Sequence, residues 1–132
     1  MNHMDYKDII DNDYEKNHKG RSYSKEFVHD NFNKFIMNGG KIFKHEKSMF
    51  ILRPWNDAVV EFHSINGGNS NDLLNGVNDL LKNLSNKFQF AVTYYDNPHV
   101  NNLIPKSNFP AKVSKIDQGE DKTFEAVFDL RG

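Results

Sequence analysis

The chain has no cysteine among its 132 residues, which excludes disulfide frameworks, thiolate metal sites and cysteine nucleophiles. It also has no apolar run long enough to cross a bilayer, and residues 5–15 are polar and acidic. From these absences we expect no membrane segment and no secretion signal. The expected location is the cytoplasm or the inside of an enclosed particle.

Neither sign of charge is in excess, because 17 basic residues stand against 18 acidic residues and the net charge is -1. Nucleic acids and anionic membranes select strongly basic surfaces, so we expect neither as a partner. No metal is expected, since His63 and His99 stand alone and no histidine pair has the spacing of a helical metal site. A P-loop and a Gly-x-Ser-x-Gly nucleophile elbow are also missing.

Asparagine is abundant, together with lysine, isoleucine and phenylalanine. This bias is typical of AT-rich coding sequences and favours a phage, a mobile element or an AT-rich microbe as the source. The length suffices for one hydrophobic core. We therefore predict an N-terminal segment at residues 1–22, with a weakly amphipathic helix, and a single domain at residues 23–132.

Hydrophobic periodicity and turn residues predict an α+β fold. One helix starts near Ser24 and stops at residues 38–40. A second helix follows an N-cap at Ser70 or Asn71 and carries a leucine-rich stripe to Leu84. Extended segments are predicted at residues 42–44, 49–55, 58–63, 90–95, 111–116 and 123–130. We expect a mixed, mostly antiparallel sheet flanked by helices.

Residues 89–109 are the most informative stretch of the chain. An apolar strand ends at an Asp-Asn-Pro terminator, residues 96–98, and a short helix then ends between Pro105 and Phe109. This layout resembles the second half of the acyl-CoA binding core of the GNAT superfamily of N-acyltransferases. The family register is kept without a gap at Asn97, Val100, Leu103, Lys106 and Phe109.

The resemblance extends over residues 24–130 and implies a GNAT-like fold without its first strand, because residues 1–4 are too few to form one. Two positions depart from the family motif. Ile104 stands where the family carries the tyrosine that returns a proton to the CoA thiolate, and an alkyl group cannot donate a proton. Asn108 replaces a glycine, which is conservative because asparagine tolerates the left-handed conformation best after glycine.

The loop at residues 66–70 matches the family loop whose amides hold the CoA pyrophosphate at a helix N-terminus. The resemblance also implies that the backbone of residues 61–65 pairs with the pantetheine arm. The expected cofactor-binding residues are Phe62, Ser64, Ile65, Gly67, Gly68, Ser70 and Asn97. The family's basic residue is absent from this loop, since no arginine or lysine lies between Arg53 and Lys82. A flexible connector with an ordinary N-cap is the alternative.

Glu61 and His63 are candidate general bases, because they lie two residues apart on a predicted strand and share one of its faces. The alternative is that they line a polar groove or a solvated sheet surface. Tyr94 and Tyr95 are adjacent and must face opposite sides of their strand. One of them borders the family's groove, and we take Tyr95 as the residue that partly replaces the missing general acid.

Two classes of function follow. The first is an acyl-CoA-dependent N-acyltransferase, with acetyl-CoA as cofactor and an amine-bearing small molecule or protein as acceptor. The second is a non-catalytic phage virion or assembly protein built on a GNAT scaffold, with phage structural proteins as partners. The fold motif favours the first class, and the missing general acid and basic loop residue favour the second.

Overall fold

Six strands form one sheet in the computed structural model, which describes residues 4–132. The strands are β1 (Lys41–His45), β2 (Ser48–Pro54), β3 (Val59–Asn66), β4 (Phe90–Tyr95), β5 (Ala111–Lys115) and β6 (Phe124–Asp129). Their order across the sheet is β1-β2-β3-β4-β6-β5, and each neighbouring pair is antiparallel except β3 and β4. The predicted mixed, mostly antiparallel sheet is confirmed.

Four α-helices accompany the sheet within the described residues: α1 (Tyr6–Asp13), α2 (Lys25–Met37), α3 (Ser70–Leu84) and α4 (Val100–Leu103). A π-helical turn (Tyr14–His18) continues α1, and a 3-10 turn (Ile104–Lys106) continues α4. Since α1 spans only eight residues, we attribute most of its stability to packing rather than to helix propensity.

The N-cap of α3 is Asn69, so the prediction of Ser70 or Asn71 is wrong by one or two residues. The reason is a capping box, in which two residues satisfy each other's backbone donors. Asn69 Oδ1 accepts the amide of Asp72 at 2.9 Å, and Asp72 Oδ2 accepts the amide of Asn69 at 2.8 Å. This pairing fixes the start of α3 at one position of a polar loop.

Each face of the sheet carries its own core, because successive strand side chains point to opposite faces. On one face, α3 packs against Phe50, Phe62 and Phe128. On the other face, Ile9 and Ile10 of α1 are 0% and 2% exposed and pack with a cluster that includes Phe32, Met49, Ile51 and Ile65. The N-terminal segment thus forms part of the packed structure.

The parallel strands β3 and β4 pair for only part of their length. Their register joins Val59 to Phe90, Val60 to Ala91 and Glu61 to Val92. Beyond these pairs β3 continues to Asn66 and β4 to Tyr95, and no pairing joins the two continuations. The strands therefore separate towards their carboxyl ends and leave a gap inside the sheet.

The outer edge of the sheet at β1 bears on the expected absence of a first strand. Within residues 4–132 no strand precedes α1. The prediction also concerned residues 1–3, which lie outside the described residues. Met4 donates a backbone hydrogen bond to the carbonyl of Glu46, 3.3 Å away in the turn between β1 and β2. No described strand covers the outer edge of β1.

Asn108 does not adopt the left-handed conformation that its place in the motif predicts. Among the described residues other than glycine, a positive φ occurs at Glu46, Asp117 and Asp121. The amide of Asn108 instead donates to Asn78 Oδ1 at 2.9 Å. The chain leaves the 3-10 turn through this contact with α3, so the position does not need a glycine.

Candidate functional site

A cleft of about 350 Å3 opens where β3 and β4 separate. Both strands contribute to its lining, α3 and α4 close its apolar side, and the π-helical turn closes its polar side. Side chains from β3 and β4 that line the cleft are Phe62, His63, Ser64, Asn66, Thr93, Tyr94 and Tyr95. The gap in the sheet thus forms a partly open cleft.

The edge of β3 that faces the cleft carries free backbone groups. Backbone groups alternate in direction along a strand, and the amide of Gly67 donates to Lys47 O at 2.8 Å on the β2 side. The amide of Asn66 points the other way and donates to Asp13 Oδ1 at 3.2 Å. By the same alternation Phe62 and Ser64 direct their backbone groups towards β4. The register of the last pair, Glu61 with Val92, occupies the Phe62 amide, so the Phe62 carbonyl and the Ser64 backbone groups are the ones that face the cleft unpaired. Ile65 directs its own towards β2.

The glycine pair of the next loop does not offer the amides that the sequence predicts for an anion. Gly67 donates to the carbonyl of Lys47, and Gly68 donates to Asn66 Oδ1 at 3.1 Å. Gly67 also packs closely on α1, since an added Cβ would lie 3.0 Å from the Cα of Ile9. Gly68 still lines the cleft, but Gly67 does not.

Ser70 and Asn97 do line the cleft, at the amino ends of α3 and α4 respectively. The Ser70 hydroxyl lies 3.1 Å from His99 Nε2. Asn97 Oδ1 accepts the amide of His99 at 3.0 Å, which turns the chain after β4. These two predicted residues therefore meet around His99 at one end of the cleft.

Lys16 is a functional candidate that the sequence did not reveal. Its Nζ donates a 2.6 Å hydrogen bond to the carbonyl of Gly68, which lies 52 residues further along the chain. Lys16 lines the cleft beside Asn69 and Ser70. The basic group that the loop lacks is thus supplied by the π-helical turn. Only the tertiary packing of α1 against β3 brings these two segments together.

His63 lies where the cleft meets a second cavity, and it lines both. Within residues 4–132 no hydrogen bond or ion pair is found for its ring. Burial is the largest influence on its pKa, which lies below the usual value of 6.5 because the cost of burying a charge outweighs the attraction of Asp13 and Asp121. The ring is therefore mostly neutral at neutral pH.

Glu61, the other candidate base, lies outside the lining of both cavities. Its carboxylate accepts a 3.1 Å hydrogen bond from the indole Nε1 of Trp55. Although Glu61 and His63 share a face of β3, Glu61 belongs to the part of the strand that still pairs with β4. Because the strands separate only beyond Glu61, His63 lines the cleft and Glu61 does not.

Tyr95 lines the cleft, and its hydroxyl donates a 2.6 Å hydrogen bond to Asn101 Oδ1. The ring stacks on Phe124 with centroids 5.5 Å apart. Burial raises the pKa of Tyr95 to about 12, so the hydroxyl keeps its proton at neutral pH. Ile104, which occupies the family's tyrosine position, lines the same cleft.

The second cavity, of about 210 Å3, lies between α2 and the sheet. It shares four lining residues with the cleft, and we call these four the dividing wall: Asp13, His18, His63 and Asp121. The two cavities therefore lie on opposite sides of one set of titratable side chains. None of the wall residues except His63 was predicted from the sequence.

Hydrogen bonds join three residues of the dividing wall, Asp13, His18 and Asp121, with Tyr23 between the last two. Asp13 Oδ2 lies 3.1 Å from His18 Nε2, and Asp13 Oδ1 accepts from Asn17 Nδ2 at 2.9 Å. The other ring nitrogen of His18, Nδ1, lies 2.6 Å from the hydroxyl oxygen of Tyr23. That hydroxyl donates to Asp121 Oδ2 at 2.5 Å. The wall thus connects α1, the π-helical turn and the β5–β6 loop.

The charge of His18 responds to these contacts. Burial by itself lowers the pKa of an imidazole, but here the hydrogen bond to Asp13 and the negative charges of Asp13 and Asp121 outweigh it. The pKa of His18 therefore lies above 6.5, in the opposite direction from that of His63. The pKa values of these two histidines are thus shifted in opposite directions, that of His18 by its acidic neighbours and that of His63 by burial.

Comparison with solved structures connects this architecture to known proteins. An acetyl transferase of Salmonella typhimurium that modifies the N-terminal serine of a 50S ribosomal subunit protein superposes with a TM-score of 0.59 at 10% identity, covering 91% of this chain and 83% of that one. A spermidine N-acetyltransferase chimera from Vibrio cholerae and hSSAT gives 0.59 at 15% identity, with 96% and 92% covered. This chain has a GNAT-like fold.

A third match is a putative acetyltransferase of Acinetobacter baylyi, with a TM-score of 0.54 at 17% identity and with 91% of this chain and 81% of that chain covered. No family model matches the chain, and no curated protein matches its sequence. At these identities the GNAT likeness shows the fold alone. The predicted phage origin and virion association find no support in these comparisons.

Two further features of the described residues bear on cofactors and location. No group of three or more histidine and acidic side chains in residues 4–132 is arranged to hold a metal ion. No helix in that part of the chain has the length and apolar character needed to cross a membrane.

Proposed function

We propose that this GNAT-like protein transfers an acyl group from an acyl-CoA thioester, acetyl-CoA being the simplest, to a primary amine. The observation that carries the proposal is the separation of β3 and β4 into a cleft that shares the dividing wall with a second cavity. The thioester would occupy the cleft and the amine the second cavity. The two reactants would then meet at His63.

The lining of the cleft fits a long amide-bearing cofactor with an anionic end. The carbonyl of Phe62 and the backbone groups of Ser64 can pair with the amides of a pantetheine arm, as a neighbouring strand would. At the other end Lys16 supplies a positive charge, and the hydroxyl of Ser70 and the ring of His99 supply hydrogen bonds. Gly67 and Gly68 have no free amide for that role.

The bound thioester supplies an activated acyl group, whose transfer forms a carbon–nitrogen bond, breaks the carbon–sulfur bond and leaves a thiolate. An ammonium acceptor must first lose a proton before its nitrogen lone pair can attack. His63 is placed to take that proton, because its ring is neutral at neutral pH and lines the cavities of both reactants.

Tyr95 is placed to return a proton to the departing thiolate. Its hydroxyl keeps its proton at neutral pH and lines the same cleft as the free edge of β3. The hydrogen bond to Asn101 fixes the direction of the hydroxyl until a stronger acceptor forms beside it. Tyr95 would in this way take over the role that Ile104 cannot fill.

Binding of acetyl-CoA to the folded protein tests the proposal. A ligand at a hundredfold excess over its dissociation constant stabilises the native state by about 2.7 kcal/mol, which urea unfolding resolves. AMP, which lacks the pantetheine arm, is the control and should stabilise the protein less. Thiol release from acetyl-CoA in the presence of an amine mixture then reports turnover. An unchanged free energy of unfolding at millimolar acetyl-CoA would overturn the proposal.

A further inference from the structure

The second cavity has apolar walls. Six of its lining side chains are aliphatic or phenylalanine: Phe27, Val28, Phe32, Phe35, Ile51 and Ile65. Phe27 is 54% exposed although it is a large apolar residue, and its ring lies 6.2 Å from that of Tyr23. Apolar side chains that line an open cavity favour a ligand with an apolar body, since binding would remove them from water.

The ends of this cavity carry opposite charges. Asp13 and Asp121 lie in the dividing wall, at the level of Asn66 and the carboxyl end of β3. Arg53 lies on β2 and is the cross-strand neighbour of Glu61 on β3. Glu61 precedes Asn66 by five residues. At about 3.3 Å per residue, Glu61 and Asn66 are roughly 16 Å apart along β3, and His63 lies between them. The wall end thus carries two carboxylates, of which Asp121 is also paired with Arg21 at 3.3 Å, and the far end carries the guanidinium of Arg53.

Arg53 has no carboxylate partner within ion-pair distance among residues 4–132, and its guanidinium lies over the ring of Phe35 at 5.4 Å. Glu61 lies directly opposite on β3, but its carboxylate accepts from Trp55 and forms no ion pair with Arg53. A ligand with a second ammonium group would bring that charge towards Arg53, which costs energy in a half-enclosed volume. A polyamine is disfavoured for this reason.

From these features we infer that the acceptor is a primary monoamine with an aromatic or branched apolar body. Its ammonium group lies against Asp13 and Asp121, and its apolar body lies among the phenylalanines of α2. The inference rests on the proposed acyl transfer and specifies its acceptor. The ammonium first gives one proton to His63, and the neutral amine then bonds to the acyl carbon. The carbon–sulfur bond breaks, and the thiolate leaves with its electron pair and takes a proton from Tyr95. The second proton that the nitrogen loses on becoming an amide replaces the one that Tyr95 gave up.

Phenethylamine and spermidine are the probes that separate the two acceptor classes. With acetyl-CoA held constant, kcat/KM for phenethylamine should exceed that for spermidine by about tenfold or more, as one charge–charge contact of roughly 1.4 kcal/mol predicts. Titration calorimetry of each amine without acetyl-CoA measures binding to the cavity independently of turnover. A preference for spermidine in both measurements would overturn the inference.

Two variants locate the selectivity in this cavity. Phe27→Ala, on the exposed side of α2, should raise KM for phenethylamine several-fold more than KM for spermidine, because the aromatic body of phenethylamine depends more on that wall. Arg53→Glu, also at an exposed position, should increase kcat/KM for spermidine by about tenfold because repulsion becomes attraction. If neither variant changes the ratio of kcat/KM for phenethylamine to kcat/KM for spermidine, the inferred substrate class is wrong.

The outcomes also separate this inference from the proposed function. If acetyl-CoA binds and spermidine is acetylated but phenethylamine neither binds nor reacts, the acceptor class is wrong and the acyl transfer stands. If acetyl-CoA does not bind, the proposed function is wrong, and the acceptor assignment that rests on it is lost even if phenethylamine binds. Binding of both acetyl-CoA and phenethylamine, with faster acetylation of phenethylamine, supports both.

Discussion

Lys16 Nζ donates a 2.6 Å hydrogen bond to the carbonyl of Gly68, and this contact places a cation beside a loop that has none of its own. We predict that Lys16→Met weakens acetyl-CoA binding by about tenfold, because a charge-assisted contact with a phosphate contributes roughly 1.4 kcal/mol. Calorimetric titration measures the change. S-acetylpantetheine, which lacks the diphosphate, should bind the variant and the parent equally.

Lys19→Met is the matched control for this prediction. Lys19 follows the π-helical turn, its side chain is 76% exposed, and its surface ion pair with Glu15 spans 3.7 Å. Removing it changes net charge as Lys16→Met does but leaves the cleft intact. Equal losses of affinity in the two variants would mean that Lys16 acts only through net charge.

His63→Gln should lower kcat by about a hundredfold or more, the usual range for loss of a general base. The pH dependence of the parent provides a second readout. Because burial depresses the pKa of His63, the rate should rise with pH through a midpoint below 6.5 and then stay level. A midpoint above 6.5 would point to His18 or to the amine itself.

Tyr95→Phe should reduce kcat without a matching change in the KM for acetyl-CoA, since the ring and its stacking on Phe124 remain. Loss of a general acid predicts a fall of about a hundredfold or more. Tyr94→Phe is the control, because Tyr94 is the neighbouring tyrosine and also lines the cleft. Full activity in Tyr95→Phe would remove it as the proton donor.

The dividing wall should make stability depend on pH. Since the pKa of His18 is raised in the folded state, its protonation adds stability that is complete below the unfolded value of 6.5 and is lost as pH rises through the folded value. The stability difference between the parent and His18→Gln should therefore be larger near pH 5 than near pH 9. Urea unfolding at both values measures it, and a constant difference would contradict the assigned contacts.

Leu80 connects α3 to the core behind the cleft and has no exposed surface. Leu80→Ala should lower the free energy of unfolding by about 2–5 kcal/mol, through lost burial and the cavity left behind. Val113→Ala on β5 is the control, because Val113 is 38% exposed and should cost well under 1 kcal/mol. Similar losses of unfolding free energy in the two variants would mean that Leu80 is not part of the buried core.

The sequence predicts the elements well where local signals agree. β4 runs over the predicted residues 90–95, because β-branched and aromatic residues meet an Asp-Asn-Pro terminator there. The start of α3 was misplaced, since Asn69, Ser70 and Asn71 are all acceptable caps by residue type. Only the reciprocal contact with Asp72 selects among them.

The site is less predictable, because its contacts cross long stretches of sequence. His63 and Tyr95 were predicted from their strand positions. Lys16 and Asp13 reach the site through contacts with Gly68 and Asn66 over 52 and 53 residues. No local pattern marks those residues, since their roles depend on how α1 packs beside the end of β3.

The central claim is that the separated ends of β3 and β4 receive an acyl-CoA thioester. Amide chemical shifts of isotopically labelled protein during an acetyl-CoA titration test it most directly. The account predicts saturable shifts at Phe62, Ser64 and Asn97, with the β5 edge at Lys112 unchanged. Shifts confined to the β5–β6 hairpin, or none at millimolar acetyl-CoA, would contradict it.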